Sequence, residues 1–291
     1  MRNGIVGAAT AMFLVGTLAG VSGLIDSYPV YGGQALRYFV AAIILLVVTR
    51  VLGLRFVRPT AREALCLGGL ALLGLVVFNV CVIESTRASG PALVGTVLGT
   101  VPLALALAGG RPAPRVLAGA CVVVAGATLA TGLGSGNATS LLWALGALVG
   151  EVSFSLLAIP LLPRLGAIRT SAYSTTLAVP MLAAIGLATE GTGILRTPTP
   201  AEALGLAYLA IVVTVVAFFL WYKSLPRLGP GRAGLFAGLI PVAAIVTGAV
   251  LGVAMPSAYD LLGAGLVVAG ILVGLSRRNP AAGTVVSPSE A

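Results

Sequence analysis

Apolar residues run along this chain in long uninterrupted blocks separated by short polar bridges. The blocks fall at 4–24, 33–49, 64–83, 91–109, 115–132, 140–161, 171–189, 203–222, 233–252 and 258–276. At about 20 residues per crossing, each is long enough for a ~30 Å hydrocarbon layer, some with little to spare. Polar and apolar positions do not alternate inside the blocks, so they predict helices rather than barrel strands. A helix also satisfies its own backbone hydrogen bonds in lipid. The bridges carry loop signals: Gly53 and Pro59, Pro112-Ala113-Pro114, Gly132 to Asn137, and Pro198-Thr199-Pro200. The pattern predicts an all-α integral membrane protein with ten transmembrane helices. A polar tail over 279–291 is predicted to be disordered and cytoplasmic.

Composition narrows the classes further. The 291 residues are 58% hydrophobic and 9% charged, against about 25% charged in soluble proteins. That leaves too little polar surface for a water-soluble, disordered or nucleic-acid-binding protein. The net charge of +9 is spread over short bridges, not gathered on a basic face. Arg2, Arg50, Arg55, Arg58, Arg62, Arg111, Arg115, Arg164, Arg169, Lys223, Arg227, Arg232, Arg277 and Arg278 fall on one side of the predicted membrane. Only Arg37, Arg87 and Arg196 fall on the other. The excess of Lys and Arg marks the cytoplasmic side, so both termini are expected in the cytoplasm, which requires an even number of spans. The first block, about 20 residues long, exceeds a signal-peptide core and is read as a span. Histidine is absent, which removes the commonest metal ligand and general base. Cys66, Cys81 and Cys121 lie in apolar blocks without CxxC spacing, so neither a disulfide nor a zinc site is expected. No cofactor is expected.

The two halves repeat each other. GACVVVAG at 119–126 resembles GAGLVVAG at 263–270. Gly90-Pro91, Gly95, Gly99 and Pro102 recur as Gly229-Pro230, Gly234, Gly238 and Pro241 at a constant spacing of 139. Five spans per copy is an odd number, so the second copy enters the membrane from the opposite side. The expected organisation is a first five-helix repeat over 1–133 and an inverted second one over 134–278. Inverted repeats are common in secondary transporters, whose substrate sites lie near the midplane where the copies meet. Gly95/Gly99 and Gly234/Gly238 are GxxxG pairs that favour close helix packing. Pro102 and Pro241 each remove a helix hydrogen bond, freeing the carbonyls of Leu98 and Ala237. Packing kink and ligand-facing hinge both fit that pattern.

With these features the sequence resembles the EamA-like branch of the drug/metabolite transporter superfamily over nearly its whole length. The resemblance rests on the ordered set: ten short spans in two copies, an Arg opening helix 2 in ALRYFVAAIILLVV (35–48), a mid-helix Pro in helices 4 and 9, and a Gly-rich fifth helix in each copy. It implies a ten-helix basket with a central cavity, a plasma-membrane location, and transport, often export, of small metabolites or drugs. Family members often carry an acidic residue at the ends of helices 4 and 9. This chain has Gly110-Arg111 and Gly252-Val253 there.

Seven of the eight acidic residues lie in loops, at span ends or in the tail. Glu151 is the exception, deep in helix 6, where a charge costs about 2.5–3.5 kcal/mol on insertion scales. Burial disfavours its ionised form, which makes it a candidate proton carrier or a protonated partner to a neighbouring helix. Ser155 follows at i+4 on the same face. Aligning Gly150 with Gly16 sets Glu151 opposite Thr17 of helix 1. The superfamily's four-helix multidrug antiporters also use a Glu of their first helix for proton coupling, and helix 6 is the first of its copy. Asn79, Thr96, Thr100 and Thr214 are further cavity candidates, although threonines often bond their own helix carbonyls. Trp221 and Tyr222 are expected in an interfacial aromatic belt, and Arg37 is expected to snorkel to the outer interface.

The expected function is a secondary transporter of a small-molecule substrate in the lipid of a bacterial plasma membrane, with H+ as the candidate coupling ion. A membrane-embedded enzyme and a non-transporting sensor or scaffold are the alternatives. The first lacks His and paired midspan carboxylates, and the second has little loop surface. No P-loop is present, so ATP is not expected to drive transport.

Overall fold

The computed structural model describes residues 1–25, 27–89, 91–132, 134, 136–252 and 255–276, and among these no strand occurs. The tail expected over 279–291 lies outside the described residues, as do Arg277 and Arg278. We label the rods α1 (Arg2–Gly16), α2 (Val30–Val51), α3 (Ala61–Ser89), α4 (Pro91–Leu98 and Val101–Ala108), α5 (Pro114–Thr131), α6 (Ala138–Leu156), α7 (Leu162–Glu190), α8 (Pro200–Leu228), α9 (Pro230–Val250) and α10 (Ala258–Leu275). Eight of them, α2, α3 and α5 to α10, are long and apolar enough to cross a membrane. α1, with 15 residues, and the two pieces of α4, with 8 each, are shorter.

Local chemistry sets the ends of these rods. The Thr60 hydroxyl accepts from the Glu63 backbone N–H, and the Glu63 carboxylate accepts from the Thr60 N–H, opening α3 with a reciprocal cap. Thr199 with Glu202 opens α8 in the same way, and Ser257 with Asp260 opens α10. Gly132 (φ 74°) and Gly229 (φ 75°) end α5 and α8 in a left-handed conformation that a side chain would strain.

The two long rods α3 and α8 share one build. Each starts as an α-helix, passes through a π-helical stretch (Leu70–Val77 and Leu209–Val216), and returns to α. Corresponding boundaries lie 139 residues apart. A π turn adds a residue to the hydrogen-bonded loop and rotates the side chains beyond it. The rods containing the repeated prolines are also both interrupted. α4 breaks at Gly99 and Thr100, just before Pro102. α9 tightens to a 3-10 turn over Leu235–Gly238, just before Pro241.

Packing pairs α2 with α7 and α5 with α10. α1 lies against α8 and α9, and α6 lies against α3 and α4. Outward faces are apolar, as a lipid solvent requires: α2 exposes Phe39, Ile43, Leu46 and Val47 while burying Tyr31, Ala35, Tyr38 and Leu45. A glycine seam joins α5 and α10. A Cβ on Gly126 would stand 2.7 Å from both the Gly263 carbonyl oxygen and the Val267 nitrogen, and one on Gly119 would stand 2.6 Å from the Gly270 oxygen. Gly238 packs against Val123 and Val267, and Gly234 against Leu105. Gly95 has room, with its nearest neighbour, Thr131, 3.7 Å from the position of a Cβ. Gly99 is crowded chiefly by its own helix, 3.0 Å from the Thr96 oxygen.

Candidate functional site

A column of polar side chains runs through the interior of this apolar bundle, contributed by α2, α3, α6 and α8. Arg37 of α2 is only 5% exposed. Its Nε donates to the Thr214 hydroxyl at 2.8 Å and its Nη1 to the Gln34 side-chain oxygen at 3.3 Å. Its guanidinium carbon lies 5.3 Å from the centre of the Tyr38 ring. Arg37 therefore does not snorkel to the interface. It reaches across to α8, where the π stretch presents Thr214, whose own proton goes to the Leu209 carbonyl at 2.9 Å.

Asn79 of α3 donates to the Tyr38 hydroxyl at 3.0 Å and to its own helix at Leu75, 2.6 Å. Further along α8, Trp221 Nε1 donates to the Ser155 hydroxyl of α6 at 3.2 Å. Trp221 and Tyr222 are each 1% exposed, so the expected interfacial belt is not where they lie. α8 continues to Leu228, which leaves both residues about two turns inside its end on the face covered by its neighbours. The Tyr222 ring packs on Phe154 (5.1 Å between centres) and Phe218 (6.1 Å). Its buried hydroxyl has no hydrogen-bond partner among the described residues.

Glu151 stands on α6 beside fully buried Ala147 and Ser155. It is partly exposed, and its carboxylate makes no hydrogen bond or ion pair among the described residues. The structure thus gathers Glu151, Ser155, Asn79 and Thr214 into one column. Thr17, Thr96 and Thr100 are tied elsewhere. Thr17 donates to Leu14 and meets the Tyr208 hydroxyl at 2.8 Å. Thr96 donates to Ala92 and Gly132, and Thr100 to Val97. Sequence reasoning missed Tyr38, Gln34 and the inward turn of Trp221 and Tyr222. The available signal was the spacing Gln34–Arg37–Tyr38, which puts three polar groups on one face of α2.

Polar ties close both ends of the bundle. At one end the Arg196 guanidinium pairs with Glu202 and donates to the Ser27 carbonyl at 3.1 Å, while Tyr28 donates to the Arg196 carbonyl at 2.8 Å. There too the Glu190 carboxylate accepts from the backbone N–H groups of Tyr31 and Gly32 at the start of α2. At the opposite end Arg164 pairs with Glu63 and donates to the Arg58 carbonyl at 3.0 Å. Arg169 donates to the Arg55 carbonyl at 3.0 Å, and Tyr173 to that of Val57 at 3.2 Å.

Long apolar helices with lipid-type outer faces and a polar interior define a multi-pass helical membrane protein. Residues 138–275 match the model of the EamA-like transporter family. The "Uncharacterized transporter YetK" of Bacillus subtilis (strain 168) is 23% identical over 281 residues, covering 92% of this chain and 85% of that protein. A solved structure described as "Crystal structure of protein" shares the fold at a TM-score of 0.77 and 21% identity, covering 94% of this chain and 97% of that one. Residues 138–275 are thus similar to the EamA-like transporter family, the resemblance that the sequence pattern implied, and these likenesses support a membrane transporter.

Proposed function

We propose that the chain is a secondary transporter that moves a small metabolite or drug across a bacterial plasma membrane, as an exporter, by alternating access between two inverted five-helix copies, 1–133 and 134–278. The observation that carries this reading is the interior polar column, where Glu151 lies without a counter-charge among apolar helices. An ionisable group inside a membrane protein is costly and marks a substrate or proton path by default. The duplication gains support from the π stretches and capping boxes of α3 and α8, repeated at a spacing of 139. It also gains support from the exchange of packing partners, since α1 meets α8 and α9 while α6 meets α3 and α4. The ties at the two ends use the equivalent residues Glu63 and Glu202, as a fold with interchangeable gates would. Glu151 is the proposed proton carrier, and Ser155, Asn79 and Thr214 line its path. Thr17, its counterpart in the first copy, pairs with Tyr208. Pro102 and Pro241, with Gly95, Gly99, Gly234 and Gly238, are the proposed hinges.

The test is solute flux in vesicles reconstituted with the purified chain, with and without a pH gradient. Flux of at least one small organic solute above empty vesicles, rising when a pH gradient is imposed, is the expected result. No flux across a broad solute panel, with a folded protein in the vesicles, would leave the scaffold reading in its place.

Topology is checked separately, by labelling single cysteines in a background with Cys66, Cys81 and Cys121 replaced. Thr139→Cys, exposed at the start of α6, should react with an impermeant maleimide added to intact cells. Arg55→Cys should react only after permeabilisation. The opposite result would remove the cytoplasmic placement of both termini.

A further inference from the structure

We propose that Arg37 receives the carboxylate of a small organic monoanion, which is the class of solute this column carries. The inference rests on the transporter reading above and adds the chemistry of its substrate. Arg37 is nine-tenths or more buried, and a guanidinium stays protonated, so a full positive charge sits inside the bundle. Buried charges are normally paired, because the hydration they lose is not otherwise replaced.

Here no carboxylate among the described residues takes that role. Glu63 and Glu202 are held by Arg164 and Arg196, and Glu84 by Arg87 and the Tyr31 hydroxyl. Glu190 caps the start of α2, and Asp260 caps α10. Glu151 forms no ion pair or hydrogen bond with Arg37 among the described residues.

The donor count points the same way. Of the five guanidinium N–H groups, one donates from Nε to Thr214 and one from Nη1 to Gln34. Three remain without an acceptor among the described residues. Thr214 and Gln34 hold the fork in place with neutral oxygens, and a Tyr38 ring contact compensates only part of a buried charge. The planar edge left free matches an oxyanion with two oxygens. A single cation balances a single negative charge. A phosphate dianion would leave a net negative charge in the same apolar surroundings, so a carboxylate fits better than a phosphate.

The experiment measures binding to the purified full chain in lipid nanodiscs through Trp221, which adjoins the column and can be separated from Trp143 with a Trp143→Phe background. The probes share one ring: benzoate, benzamide, benzylammonium and phenyl phosphate, with acetate, acetamide and succinate as ringless companions. The carboxylates should bind more tightly than their amides. Arg37→Gln should weaken carboxylate binding about 10- to 100-fold, the range for a hydrogen bond to a charged group, and leave amides unchanged. Arg37→Lys should restore part of the preference. A purely structural Arg37 would lower thermal stability in both variants without changing the ratio of carboxylate to amide affinity. An unaltered ratio, preference for benzylammonium or phenyl phosphate, or no carboxylate binding at all overturns the proposal. Carboxylate binding through Arg37 without flux would instead overturn the transporter reading alone, and flux confined to neutral or cationic solutes would leave transport standing without this site.

Discussion

Gly126→Leu should prevent the chain from accumulating as a folded monodisperse protein, and Gly126→Ala should already lower its melting temperature. A Cβ at this position would lie 2.7 Å from two backbone atoms of α10 and 2.8 Å from the Leu266 Cβ. No rotamer change moves a backbone, so the helices themselves must separate. In lipid they are held by close van der Waals contact and not by a hydrophobic driving force. Overpacking a well-filled site costs about 1–3 kcal/mol, and a contact that opens a whole seam lies at the top of that range. Gly119, Gly263 and Gly270 share the seam, so relief at one position strains the next. Gly265, on the same helix, has nothing within 4 Å of its would-be Cβ. Gly265→Ala should therefore be neutral or slightly stabilising, since alanine favours a helix by up to about 1 kcal/mol over glycine. Thermal unfolding in detergent, read by size-exclusion chromatography, checks both. Gly126→Leu melting with the wild type would mean that α5 and α10 do not touch as described.

The contrast between these glycines shows how far the sequence can be read. The repeated blocks GACVVVAG and GAGLVVAG are visible as text, but only their facing arrangement shows that they form one seam. The GxxxG pairs of α4 and α9 look equivalent in sequence, yet a Cβ on Gly238 would collide with the Val123 side chain while one on Gly95 would make only an ordinary contact with Thr131 at 3.7 Å. A glycine pattern shows where two backbones could approach and does not identify the partner. Helices were legible because lipid imposes continuous apolar blocks of fixed length, and that signal depends on composition alone. Arg37 and Trp221 were misplaced for the opposite reason. Near a span end, a polar or amphipathic side chain can turn to the interface or inward, and tertiary contacts with Thr214 and Ser155 decide which. Glu151 stood out in the sequence because an acid deep in a span has no inexpensive alternative. The π turn that presents Thr214 left no trace in the apolar run Leu209–Val216.

Glu151→Gln should abolish the dependence of transport on a proton gradient while leaving a folded protein. The amide keeps the size of the acid and carries no charge to bury, so insertion and stability should survive. What is lost is the exchange of a proton between the two sides. If proton and solute share one conformational equilibrium, their coupling free energy of about 1–3 kcal/mol corresponds to a 5- to 150-fold effect. Gradient-driven flux should fall by that factor, while equilibrium exchange of solute persists. The wild-type rate should decline as the pH on both sides rises through the range where Glu151 loses its proton, and the Gln variant should be flat across it. Glu151→Asp keeps the acid on a shorter arm and should retain partial activity with a displaced pH profile. A purely structural Glu151 gives the reverse order: Gln is tolerated with its pH dependence intact, and Ala lowers the melting temperature. That outcome would move proton coupling away from α6 and leave Arg37, Asn79 and Thr214 as the functional part of the column.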